Sequence, residues 1–183
     1  MHLTKTLPNN IKEIVWNEDT VVRRQGGYDI DKTTLGTNFQ EWLPKGAVMA
    51  FDASTGKVKV VKTAQVHANA SSGATSFKIK KGHGLAVGDA IGGNTITALD
   101  TTNDDYDEVT CSATSKALKA GDILAEATAS DVIGFNYATV KIDKFPTCTV
   151  TVQAYEIEED TAPTLLNADI KAALTSRHAF KAI

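Results

Sequence analysis

A chain of 183 residues and 19.5 kDa is one domain's worth at about 150 residues per domain, and a hydrophobic fraction of 42% excludes wholesale disorder. Nineteen basic residues against 22 acidic ones, a net charge of −3, leave no electrostatic footprint for a nucleic-acid partner. No apolar run approaches the roughly 20 residues that cross a bilayer, and residues 1–5 carry no signal-peptide core, so the sequence reads as soluble, with no membrane partner, and not classically secreted.

Residues 1–41 are polar and weakly periodic, with apolar punctuation at Ile11, Ile14, Val15, Trp16, Val21, Val22 and Tyr28. So little apolar surface cannot carry a core of its own, which predicts an extended N-terminal arm that gains order only when laid on another surface. At Leu43-Pro44-Lys45-Gly46 a turn opens residues 47–51, and residues 52–56 lead into 57–61. Strand, short turn, strand predicts a β-hairpin, with Val58 and Val60 on one face and Lys57 and Lys59 on the other.

Short runs rich in Val, Ile and Thr follow at residues 76–80, 95–99, 107–111, 132–135, 137–142 and 148–155. Their number and spacing predict a mainly β chain, a small β-barrel or sandwich. Residues 63–127 begin and end beside strand material and hold runs of their own. They predict an inserted β subdomain between residues 42–62 and 128–183, which together make the main β domain. One device recurs: Leu43, Leu85 and Leu118 each stand three residues before a glycine, Gly46, Gly88 and Gly121, after which an apolar strand resumes. Beyond residue 163, Leu165, Leu166, Ile170, Ala173 and Leu174 follow helical spacing and predict one closing C-terminal helix of about 10–14 residues, with Thr164 or Asn167 as N-cap.

The chemistry-bearing residues form no constellation. His2, His67, His83 and His178 lie scattered, none at metal-ligand spacing from another ligand, and Gly82-His83-Gly84 reads as a tight turn. The acidic stretch 100–108 does not place Gly and Glu as a Ca²⁺-binding helix–loop–helix requires and reads as a solvated turn between strands. Gly92-Gly93-Asn94 reads as a hairpin turn, since no phosphate-binding Lys-Ser/Thr follows. Cys111 and Cys148 read as buried free thiols within strands. No catalytic, cofactor or metal residue is assigned, no cofactor is expected, and a carboxylate pair such as Asp104 with Glu108 is the weakest of the readings. A β-barrel binding module for carbohydrate or a host surface, using Trp16, Trp42 and the loop 103–108, is the alternative.

The order of parts is similar to a known group. A polar arm, then Leu43-Pro44-Lys45-Gly46-Ala47-Val48-Met49 leading to Gly56-Lys57-Val58, then Gly121-Asp122-Ile123-Leu124-Ala125-Glu126-Ala127, then residues 150–157 and a terminal Ile170-Lys171-Ala172-Ala173-Leu174 stretch, resembles tailed-phage capsid decoration proteins. The nearest types are lambda-type head decoration proteins and phage head fiber proteins, over residues 42–62 and 118–180. The added segment 63–127 tilts the resemblance toward the head fiber side. It implies a non-enzymatic virion protein, a homotrimer bound to the phage major capsid protein on the outer capsid surface. The arm would make that contact by strand addition, with Val21, Val22 and Tyr28 as the capsid-contact candidates.

Overall fold

The computed structural model describes residues 11–24, 26–126, 131–143 and 146–181. It is mainly β, with one α-helix and a sheet curled into a half-barrel. Three apolar clusters account for its interior.

The chain enters through β1 (Val15–Arg23), β2 (Tyr28–Asp29), two short 3₁₀ turns and β3 (Trp42–Leu43), then forms the hairpin β4 (Val48–Asp52) and β5 (Lys57–Val60). The hairpin is the one the alternation predicts: Val58 and Val60 are buried, Lys57 faces solvent, and Asp52 pairs with Lys57 across the turn. It then leaves through β6 (Thr63–Gln65), β7 (Ser76–Lys80), β8 (Ala90–Ile91), β9 (Asn94–Asp100), β10 (Tyr106–Cys111) and β11 (Ile123–Ala125). These run β7–β10–β9–β8, with β11 paired to β6, and the bridge Val66↔Ile79 sets β6 beside β7. One further bond, Gly92 N–H to Ala125 C=O at 3.1 Å, brings the end of β8 to β11 and curls the set around its core. That core draws on residues 64–124 alone, with Val66, Ile79, Ile91 and Val109 fully buried.

The chain returns in β12 (Val132–Phe135), β13 (Val140–Lys141), β14 (Thr147–Cys148) and β15 (Thr151–Glu158), then α1 (Ala168–Leu174) and β16 (His178–Phe180). β12 pairs with β4, β13 with β3, β14 with β2, and β15 lies between β1 and β16. Where β12 meets β15, Gly134 has φ +152° and a Cβ there would stand 1.9 Å from the Thr151 carbonyl oxygen, so only glycine allows the approach. Asn136, fully buried, donates from Nδ2 to the carbonyls of Leu43, Pro44 and Ala138 and so pins the β3–β4 turn to the returning chain. This local network explains why the strand expected over 137–142 shrinks to Val140–Lys141.

Two further expectations are corrected. The closing helix has seven residues, because Asn167 Oδ1 accepts the Ile170 N–H at 2.8 Å and starts it late, while Leu165 and Leu166 lie before the cap. Residues 11–41 are no arm awaiting a partner: Ile14 and Trp16 are 1% and 6% exposed inside the main core, and β1 is hydrogen-bonded to β15. Gly46 makes room for this, since a Cβ there would meet the Ile14 side chain at 2.3 Å. The first ten residues of that expected arm lie outside the described residues, as does Ala127 of the 63–127 segment.

The recurrent turn holds as read. Gly46, Gly88 and Gly121 have φ values of +89°, +98° and +97°, and the three leucines preceding them are buried.

Candidate interaction edge

β1 is the outer strand of the three-stranded sheet, and its pairing with β15 is irregular. Between Asn17↔Tyr155 and Val22↔Gln153 the β1 strand has four intervening residues against one on its partner, so residues 18–21 bulge outward. The bulge is held by polar contacts that alternation would not reveal. Thr20 Oγ1 donates to the Asn17 carbonyl at 2.7 Å and accepts the Tyr155 N–H at 3.0 Å, and the Asp19 N–H donates to Asn17 Oδ1. Just past the Asn17↔Tyr155 pair on the partner strand, Glu156 adopts φ +56°, a left-handed conformation unusual for a side-chain-bearing residue. Asn17 Nδ2 donates to its carboxylate at 3.1 Å. The reversal breaks the in–out alternation, so Tyr155 and Glu156 both face solvent.

The result is an apolar display on an edge that no other strand covers among the described residues. Val15 and Val22 on β1 are 48% and 46% exposed, and Tyr155 on β15 is 39% exposed. Glu18 anchors the strand's inner side: its carboxylate accepts the Trp16 Nε1–H at 3.0 Å and pairs with Lys45, whose ammonium lies 4.6 Å from the Trp16 ring centre. Burial would raise the Glu18 carboxyl, but the Lys45 ammonium outweighs it and holds the group below the usual carboxylate range.

The three predicted contact residues part company here. Val22 faces solvent at the edge. Val21, next in sequence, turns inward and packs on the main core. Tyr28 is half-buried in β2, 5.9 Å from the Phe51 ring and under the Arg24 guanidinium. Val15 and Tyr155 were missed; alternation about the buried Trp16 signals the first, whereas Tyr155 emerges only through the Glu156 reversal.

One histidine also finds partners that spacing did not suggest. His83 Nδ1 accepts the Leu85 N–H at 2.9 Å, so its proton sits on Nε2 and is donated to Asp107 Oδ2 at 2.8 Å. Lys81 pairs with the other Asp107 oxygen. Burial would raise the Asp107 carboxyl, yet Lys81 and His83 together lower it. This cluster ties the 81–85 loop to β10 and is saturated by its own members. Asp100 and Asn103 cap their own turns, accepting the N–H groups of Thr102 and Asp105.

Of the two tryptophans, Trp16 is enclosed beside Phe135 and Tyr137, and Trp42 is half-buried with the Lys141 ammonium 5.8 Å from its ring. The Trp16 ring is thus buried in the main core and offers no open face on which a sugar could stack. Among the described residues no helix is long and apolar enough to cross a membrane. No protein-family model, curated protein or solved structure matches this chain.

Proposed function

We propose that this chain is a non-enzymatic structural protein of a tailed-phage virion, bound as a homotrimer to the major capsid protein on the outer surface of the head. The observation that carries the reading is the open β1 edge with Val15, Val22 and Tyr155 displayed beside it. An unpaired strand edge with exposed apolar side chains is a template for addition of another chain's strand. The resemblance in order of parts, from Leu43-Pro44-Lys45-Gly46 through Gly121-Asp122-Ile123-Leu124 to the closing helix, supplies the kind of partner. The contact is made by a strand already seated on the body, in place of a free arm, and Val22 is the candidate that keeps its role.

The test is immunogold labelling of virions of the phage that carries the gene, together with light scattering of the purified protein. Label on the outer face of heads and a particle of three times 19.5 kDa are the expected results. Val22→Asp places a charge on the edge without touching the core, and should abolish binding to heads that lack the protein. Unlabelled heads, or a monomer that binds none, overturn the reading. Deleting residues 1–40 is no substitute, since it removes Ile14 and Trp16 from the core.

A further inference from the structure

A lysine and a carboxylate meet where the chain crosses from the hairpin into the half-barrel, and a second carboxyl stands on the return crossing. Lys62 follows β5 and is the last residue before β6; its side chain is 6% exposed. Its ammonium lies 2.6 Å from Asp89 Oδ2, and the Asp89 side chain is 18% exposed. Glu126 follows β11 on the return crossing, and its N–H donates to the Lys62 carbonyl at 2.9 Å. The Glu126 Oε2 atom is buried with no hydrogen-bond partner. Asp89 itself is fixed: Oδ2 accepts the Ala86 N–H at 2.7 Å, its N–H donates to the Ala86 carbonyl, and its carbonyl accepts the Ile96 N–H.

A buried ion pair is a costly way to hold a seam together, because both charges leave water. The same burial holds an amine 2.6 Å from a carboxylate oxygen, with a fixed backbone donor on that oxygen and the buried, unpartnered Glu126 Oε2 on the adjoining crossing. We propose that Lys62 and Asp89 condense to an intramolecular amide, with Glu126 relaying the protons, so that a covalent cross-link spans the seam between the hairpin and the half-barrel.

The step balances without any co-reactant. It starts from the neutral form of the pair, in which Nζ has given up a proton and the Asp89 carboxyl carries one on Oδ1, the oxygen that neither Nζ nor the Ala86 N–H occupies. The Nζ lone pair attacks Cγ, the C–N bond forms, and the negative charge develops on Oδ2, where the Ala86 N–H already points. Protonated Glu126 delivers its proton to the departing Oδ1 hydroxyl, which leaves as water when the C–O bond breaks, and takes up the proton released by Nζ. The sum is an ammonium and a carboxylate giving an amide and one water, with no change of oxidation state. Burial, only partly countered by Lys62, raises the Glu126 carboxyl and favours the protonated form that this relay requires. Preorganised contact supplies the high effective concentration that amide formation in water lacks.

Intact-mass measurement on the purified full-length protein decides it. The expected mass is one water below that of the sequence. Trypsin should then leave residues 60–78 and 82–116 as a single branched peptide, since an acylated Lys62 is not cleaved. Lys62→Arg and Asp89→Ala should each restore the sequence mass, as should Glu126→Gln, with folding checked by tryptophan emission. A wild-type protein at the full sequence mass after prolonged incubation, or a missing water located outside the 62–89 pair, overturns the cross-link. A Glu126→Gln protein still one water light overturns the relay.

Discussion

The strand β1 and the half-barrel β6–β11 show two ways for a mostly polar sequence to become ordered. The half-barrel keeps its apolar residues within one stretch of chain, and its core from Ala64 to Leu124 borrows nothing from outside. β1 keeps only Trp16 and, just before it, Ile14 for burial, and the apolar cluster they join is built from residues outside that stretch, from Val48 and Ala50 to Phe135, Ala154, Ile157 and Ile170. The first region is ordered by its own surface burial, the second by a site the rest of the protein prepares. Perturbing the body should therefore release β1 and spare the half-barrel, while the reverse perturbation should leave β1 in place.

The largest expected break is Gly134→Ala. A Cβ would meet the Thr151 carbonyl oxygen at 1.9 Å and the Val150 side chain at 2.9 Å, and neither backbone can withdraw without parting β12 from β15. The cost should exceed about 4 kcal/mol, the diagnostic end of single-substitution effects. In hydrogen exchange, amides of β1, β12 and β15 should lose protection together while those of β7, β9 and β10 keep theirs. Uniform loss across both regions would show that the half-barrel depends on the body after all.

Trp16→Ala comes next, at roughly 3–4 kcal/mol for a large buried ring. It removes the contacts with Phe135 and Tyr137 and the surface over which Lys45 lies. The melting temperature should drop by about 6–16 °C on the scale for chains of this size, and proteolysis should begin within residues 11–24. Phe77→Ala is the matching test on the other side, at about 3 kcal/mol confined to the half-barrel. The chain has two tryptophans, Trp16 and Trp42, both outside that unit. Tryptophan emission should then keep its wild-type denaturation midpoint while half-barrel amides exchange faster.

The contrast also explains what the sequence made legible. Strands of the hairpin and half-barrel announce themselves because burial alternates along them, as in Lys57-Val58-Lys59-Val60 and Phe77-Lys78-Ile79-Lys80, and the leucine–glycine turns work because their requirement is local. In sequence β1 reads as an extended arm because its middle, Glu18-Asp19-Thr20-Val21, is the bulge, where residues answer to side-chain hydrogen bonds and not to alternation. Its partner strand lies more than a hundred residues away, beyond the reach of any local pattern. Separation along the chain likewise hid the edge display, the His83–Asp107 contact and the Lys62–Asp89 pair. Each joins side chains from separate loops that only the closed fold brings together.

The smallest expected effect separates the two regions by acid. In the body, His178 is buried on β16: Nδ1 donates to the Leu174 carbonyl at 3.2 Å, Nε2 faces the Thr151 hydroxyl, and the ring meets Phe135 edge-on at 5.4 Å. Burial lowers its pKa below the ordinary 6.5, and the Arg177 charge adds to this. A histidine held neutral in the folded state contributes stability that is complete above about pH 6.5 and is lost as the pH falls from there through the lowered folded value. In the half-barrel the relevant group is Asp107, held charged below its ordinary 3.8 by Lys81 and His83. Its contribution is complete above about pH 4 and is lost only as the pH falls further, through the lowered folded value. Acid should thus loosen the body first, with amides of β15, β16 and α1 opening as the pH falls below about 6.5 while those of β7 and β10 hold until below about pH 4. His178→Gln should remove the first step and leave the second. Simultaneous opening at a single pH would mean that the two cores, separate in composition, unfold as one.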